Sequence, residues 1–83
     1  MAKIIIEEFM TDKLKLGGNA LVLFAILWKE SKQGKEVATD DYAQYTKTMN
    51  CTNATYYNTK EKLIKAGVIK EHENGLKVVY KNT

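Results

Sequence analysis

Residues 52–80 read TNATYYNTKEKLIKAGVIKEHENGLKVVY, and three signals in this stretch decide the fold. Thr52 precedes a run without helix breakers, and its hydroxyl can accept from the free amides of a first helical turn. Gly67 stands where that helix should end, because glycine readily enters the left-handed conformation a helix exit uses. Beyond it, Val68 to His72 and Leu76 to Lys81 are β-prone runs on either side of Asn74-Gly75, the strongest short hairpin signal. The stretch therefore predicts a helix over about residues 52–66 and a hairpin over about 68–81.

Upstream, Thr48-Met49-Asn50-Cys51 predicts a tight turn out of a preceding helix. That helix is capped by Thr39, with Asp40 and Asp41 in its first turn facing the positive end of the helix dipole, and it runs to about Lys47. Gln33-Gly34-Lys35 reads as a turn, and Glu36 to Ala38 as a short connection able to pair as a strand. Asn19 is suited to cap a further helix reaching Ser31 or Lys32. Leu21, Phe24, Ala25 and Trp28 lie on one side of it and Leu23, Ile26 and Leu27 on others, so it is buried from more than one direction. Either the N-terminal segment or a second copy of the chain must cover its other face. Ile4, Ile5, Ile6, Phe9 and Met10 fit a short strand or the first turns of a helix equally well.

The order is helix, helix, tight turn, helix, hairpin. This is a mainly α chain with a small β-hairpin, an α+β class. It predicts one winged helix-turn-helix domain across residues 1–83: three helices and a C-terminal wing, with the helix-turn-helix over about residues 39–66.

Composition narrows the function. The 83 residues hold no proline, no arginine and one cysteine. A lone cysteine forms no internal disulfide, the apolar run from Ala20 to Trp28 is too short to span a bilayer, and the N-terminus lacks a secretory pattern. A cytoplasmic protein is expected. The net charge of +3 is unevenly spread: residues 1–44 hold six lysines and seven acids, residues 45–83 seven lysines and three acids. The basic half is the half with the motif, a footprint expected for nucleic-acid binding.

On the 52–66 helix, Tyr56, Leu63 and Gly67 suit the inner face, with Lys60 the exception among them. Asn53, Ala54, Thr55, Asn58, Thr59 and Lys62 are left outside, with Tyr57 at the edge. Expected contacts to double-stranded DNA are Thr52, Asn53, Thr55, Tyr57, Asn58 and Lys62 from the helix and Lys70 and Lys77 from the wing. Lys47, Lys65 and Lys81 add to the grip on phosphates. Without arginine, the usual bidentate contact to guanine is missing. Asn53, Asn58 and Thr55 then favour A·T pairs through adenine edges and thymine methyls. Four to six neutralised phosphates would give a slope of log K on log salt of about −4 to −5.

The residues Leu14-Lys15-Leu16-Gly17-Gly18-Asn19-Ala20-Leu21, Asn50-Cys51-Thr52 and Leu63-Ile64-Lys65-Ala66-Gly67-Val68-Ile69 resemble bacterial and phage winged-helix proteins. The resemblance spans about residues 14–81 and is nearest to the N-terminal domains of phage replisome organisers and plasmid replication initiators. It implies a DNA-binding module of such a replication protein, or a small transcriptional regulator. The chain departs from that pattern at Thr52-Asn53, where a serine-lysine entry is usual, and at Lys60, where a leucine is usual, so that either this helix packs differently or the lysine stem snorkels past Tyr56.

Structural readings stand beside the functional ones. The Thr/Asn face can be solvated surface, the wing lysines can guard an edge strand against aggregation, and most tyrosines at helical spacing fit a core. Cys51 reads as a small core residue and His72 as an exposed strand residue. Asp40-Asp41 and Glu7-Glu8 are adjacent acids and not a facing catalytic pair. No catalytic constellation, metal site or cofactor is expected. The alternative function is a protein-interaction winged helix without DNA binding, using the helix from Ala20 to Trp28. The same helix, or the N-terminal segment, would serve a homodimer.

Overall fold

The computed structural model describes residues 6–80. Lys81 and the Ile4-Ile5 pair, named above, lie outside them. The elements in chain order are α1 (Glu8–Asp12), α2 (Gly18–Glu30), α3 (Tyr42–Met49), α4 (Asn53–Lys65), β1 (Ile69–His72) and β2 (Gly75–Val78). Four helices and a two-stranded antiparallel hairpin thus stand where three helices and a hairpin were expected.

The additional helix is α1. It has no side-chain cap at its start, and five residues are far too few to hold a helix by propensity alone. Packing holds it. Phe9 and Met10 are buried against α2, with the Phe9 ring centroid 5.1 Å from Trp28 and 6.2 Å from Phe24. Glu7 accepts the Trp28 indole N–H at 2.5 Å, and Tyr80 stacks on Phe9 at 5.0 Å.

Residues 23–28 of α2 are all buried. The helix is the central element, packed against α1, α3, α4 and β2, so its all-round apolar surface is covered within one chain. Its start differs from expectation. Gly17 is extended before the first turn, no side chain caps it, and Asn19 lies inside the helix.

The cap of α3 is also shifted. Asp41, not Thr39, accepts from the Gln44 amide, at 3.3 Å. Thr39 instead offers its carbonyl to the Tyr45 hydroxyl at 2.5 Å, and Asp40 turns toward α4. The acids therefore do not sit together in a first turn. One is the cap itself and the other is drawn into a tertiary contact.

Helices α3 and α4 end alike. Asn50 has φ 54° and ψ 52°, and Cys51 N–H reaches the Thr46 carbonyl at 3.1 Å. Gly67 has φ 79°, and Val68 N–H reaches the Leu63 carbonyl at 3.3 Å. Both are Schellman exits, one using asparagine and one glycine in the left-handed position. Thr52 caps α4 as expected, accepting from the Thr55 amide at 3.2 Å.

The hairpin pairs Ile69 with Val78, Lys70 with Lys77, Glu71 with Leu76 and His72 with Gly75. Its turn is therefore Glu73-Asn74, one residue earlier than Asn74-Gly75. Neither turn residue has a positive φ, so this is not the mirror-image turn that Asn-Gly favours. Gly75 (φ 146°) serves another purpose. A Cβ there would lie 2.0 Å from the Ala38 carbonyl oxygen. Ala38 forms a bridge with Leu76 through bonds of 2.9 and 2.7 Å, so glycine admits a third chain segment to the edge of β2.

Among the described residues no helix is long and apolar enough to cross a membrane.

Candidate nucleic-acid interface

The inner face of α4 is built from Tyr56, Thr59, Lys60 and Leu63, all buried. Thr59 belongs to this face and not to the outer one where it was expected. Its hydroxyl donates to the Thr55 carbonyl at 2.7 Å, which satisfies a hydroxyl that would otherwise be costly to bury. Lys60 does not snorkel to solvent. Its ammonium lies 3.3 Å from Asp40 and 3.5 Å from Glu71, and 5.1 Å from the centroid of the Tyr57 ring.

Asn53, Ala54, Tyr57, Asn58, Glu61, Lys62 and Lys65 are exposed. At 3.6 residues per turn they fall on the outward half of the helix. Six of the eight expected contacts separate into three groups. Thr55, Asn58 and Lys62 line one side of a shallow groove of about 400 Å³ whose other side is Gly17, Gly18, Asn19 and Ala20 at the start of α2. Tyr57 faces the opposite edge, where its ring meets Tyr42 at 6.3 Å and Tyr56 at 5.4 Å. Lys70 and Lys77 stand on the hairpin, directly opposed across the ladder and both exposed.

The threonines are less available than their position in the sequence suggests. The Thr52 hydroxyl caps the helix and donates to Thr55 Oγ1 at 3.0 Å, and Thr55 is half-buried. Asn53, Asn58, Tyr57 and the lysines keep open polar groups. Lys47 lies with Thr46, Asn50, Cys51 and Thr52 around a depression of about 450 Å³ at the α3–α4 turn.

Two residues on this surface escaped the sequence reading. Tyr42 is 46% exposed beside Tyr57, itself 46% exposed, although tyrosines at helical spacing read as core. Only Tyr45 and Tyr56 are fully enclosed. Glu61 places a carboxylate on the outward stripe between Asn58 and Lys65. A helical projection centred on the buried Tyr56 and Leu63 would have found it.

Burial pushes the Tyr45 hydroxyl up to about 12, helped by the negative charges of Glu30, Asp41 and Asp40. Burial, followed by its hydrogen bond to Asp40, raises Tyr56 well above the ordinary tyrosine value. Both phenols are thus fixed as proton donors inside the fold. His72 Nδ1 accepts the Asn74 amide at 3.1 Å in the hairpin turn, and Cys51 is a half-buried free thiol. Among the described residues no group of three or more His, Cys, Asp or Glu side chains could hold a metal ion.

No curated protein and no solved structure matches the chain. The likeness to bacterial and phage replication proteins is corrected by the family comparison, which finds an archaeal family and nothing relating the chain to replisome organisers or plasmid initiators. The residues quoted for that likeness are a glycine break, a capped helix start and a Schellman exit. Backbone geometry imposes these on unrelated chains, so they carry no lineage. The match extends over residues 2–81, and the chain belongs to this archaeal family.

Proposed function

We propose that this chain is a winged helix-turn-helix module that binds double-stranded DNA. In this reading α3 and α4 form the helix-turn-helix, α4 enters the major groove, and the hairpin is the wing. The extra helix α1 completes the core behind α2. The observation that carries the reading is the register of the hairpin. Lys70 faces Lys77 across the ladder on its solvent side, and like charges directly opposed destabilise a sheet. A phosphate backbone laid against that face turns the repulsion into attraction. Asn53 and Asn58 on the outward half of α4 supply base-edge amides, and Lys62 lies beside Asn58 in the groove leading to α2.

Fluorescence anisotropy with random and A·T-rich duplexes at two salt concentrations tests this. The expected result is binding at low salt, with log K falling against log salt at a slope of about −4 to −5, as four to six neutralised phosphates require. Lys70→Met with Lys77→Met should reduce that slope by about 2. Asn58→Ala should narrow the difference between the two duplexes. Failure to bind any duplex at low salt overturns the reading.

The interaction-module alternative rested on the apolar helix from Ala20 to Trp28, of which residues 23–28 are buried within the chain and Ala20, Leu21 and Val22 partly so. What now favours it is the exposed Tyr42–Tyr57 pair. If DNA is not bound, that pair is the place to seek a protein partner.

A further inference from the structure

Lys60 occupies a position where a hydrophobic residue would be cheaper. It lies between Tyr56 and Leu63 on the buried face of α4, and 8% of its surface is exposed. An ammonium there loses most of its hydration, and replacing a buried ion pair with apolar residues is often neutral or stabilising. A leucine would fill the space. It could not join two carboxylates that belong to different parts of the chain.

The ammonium does join them. On one side is Asp40, in the segment before α3, at 3.3 Å. The Tyr56 hydroxyl donates to the same carboxylate and so fixes its orientation. On the other side is Glu71 of β1, at 3.5 Å. Glu71 is opposite Leu76 in the ladder and shares the core-facing side of the hairpin with Ile69 and Val78. Lys70 and Lys77 point from the other side. The contact therefore ties α4 to the outer half of the hairpin, beyond the apolar root formed by Ile69 and Val78.

We infer that Lys60 is a positioning residue, a strut rooted in the core and ending at the exposed carboxylate of Glu71, that sets the orientation of the hairpin relative to α4. Under the DNA-binding reading, on which this consequence rests, the strut makes the α4 face and the Lys70–Lys77 face act as one surface. Lys60 itself touches no phosphate.

The strut makes a prediction opposite in sign to simple electrostatics. Glu71→Ala and Glu73→Ala each remove one negative charge from the hairpin, and both residues are exposed. Charge alone predicts that both tighten DNA binding. The strut predicts that Glu73→Ala tightens it about two-fold, through reduced repulsion. Glu71→Ala should instead weaken it roughly three- to ten-fold as the wing contacts lose their register. Glu71→Ala leaves the Lys60–Asp40 pair in place, so it avoids stranding a buried charge as Lys60→Met would.

A second readout needs no DNA. Residual dipolar couplings of the hairpin amides in the free protein should depart from the alignment of α2–α4 in Glu71→Ala and agree with it in Glu73→Ala. Unchanged couplings in Glu71→Ala, or DNA binding strengthened as in Glu73→Ala, overturn the strut. Altered couplings in a chain that binds no duplex remove the DNA reading and support the strut.

Discussion

Replacing Gly75 with alanine tests the structural reason for that glycine. In the hairpin as its sequence reads, Asn74-Gly75 is the turn, and both residues need a positive φ. In the structure the turn is Glu73-Asn74, and Gly75 is held by the approach of Ala38. An alanine Cβ would lie 2.0 Å from the Ala38 carbonyl oxygen and 3.1 Å from Thr39 Cα. Both atoms are backbone, so the clash cannot be relieved by a rotamer change. The segment must move, and the two Ala38–Leu76 hydrogen bonds would be lost at about 0.5–1.5 kcal/mol each. Holding alanine at φ 146° adds roughly 1–3 kcal/mol. The expected loss is about 2–6 kcal/mol, a large part of the roughly 4–12 kcal/mol that holds a chain of this size together. Gly67 is the control. It has φ 79° but nothing within 4 Å of its would-be Cβ, so Gly67→Ala should cost only the left-handed strain, about 1–2 kcal/mol. Asn74→Ala should change stability by less than about 0.5 kcal/mol, since Asn74 has no positive φ. Urea melts of the three variants at constant m measure these costs. If Gly75→Ala proves no costlier than Gly67→Ala, or if Asn74→Ala costs more than about 1 kcal/mol, the explanation by the approach of Ala38 is wrong.

Four further outcomes are expected. The unfolded chain releases the Tyr45 proton near pH 10 while the folded chain keeps it to about 12. Stability should therefore fall across that window, by up to about 3 kcal/mol at ~1.4 kcal/mol per unit. Tyr45→Phe should lessen the alkaline decline of the melting temperature without abolishing it, because Tyr56 is raised as well, and an equal decline in the variant refutes the assignment. Phe9→Ala removes the ring that holds α1 against Trp28 and Tyr80 and should cost about 3–5 kcal/mol; a loss under about 1 kcal/mol in a thermal melt would show that α1 does not cover α2. Because residues 23–28 are buried within one chain, light scattering at high concentration should give the 9.4 kDa monomer mass, and a dimer would point to a surface other than α2. Thr52→Ala deletes the α4 cap and should cost about 1 kcal/mol, read by urea denaturation; no change in the midpoint would mean the cap bond contributes nothing.

Much of the candidate site was legible for a plain reason. Thr52 and Gly67 fix the ends of α4 through local backbone geometry, and a helix with known ends and a known inner face has a known outer face. Asn53, Asn58, Lys62, Lys70 and Lys77 are accordingly exposed where expected. Thr59 was misplaced because a threonine hydroxyl can be satisfied by its own helix, which makes a buried position affordable. Tyr42 was missed because it opens α3 one turn before the buried Tyr45, and its ring meets the exposed Tyr57 instead of the core.

Sequence alone determined what depends on neighbours along the chain. The α4 boundaries, the Thr52 cap, the antiparallel hairpin and the all-round burial of α2 follow from local conformational preference and periodicity. Tertiary structure decided whatever depends on a partner distant in the chain. Five residues become α1 because Phe9 finds Trp28. Gly75 is required by Ala38, far away in sequence, and not by its own turn. Lys60, an anomaly in an apolar stripe, makes sense once Asp40 and Glu71 arrive from two other segments. A charge or a glycine in a sequence records that something unusual is needed there, but only the fold brings up the group that needs it.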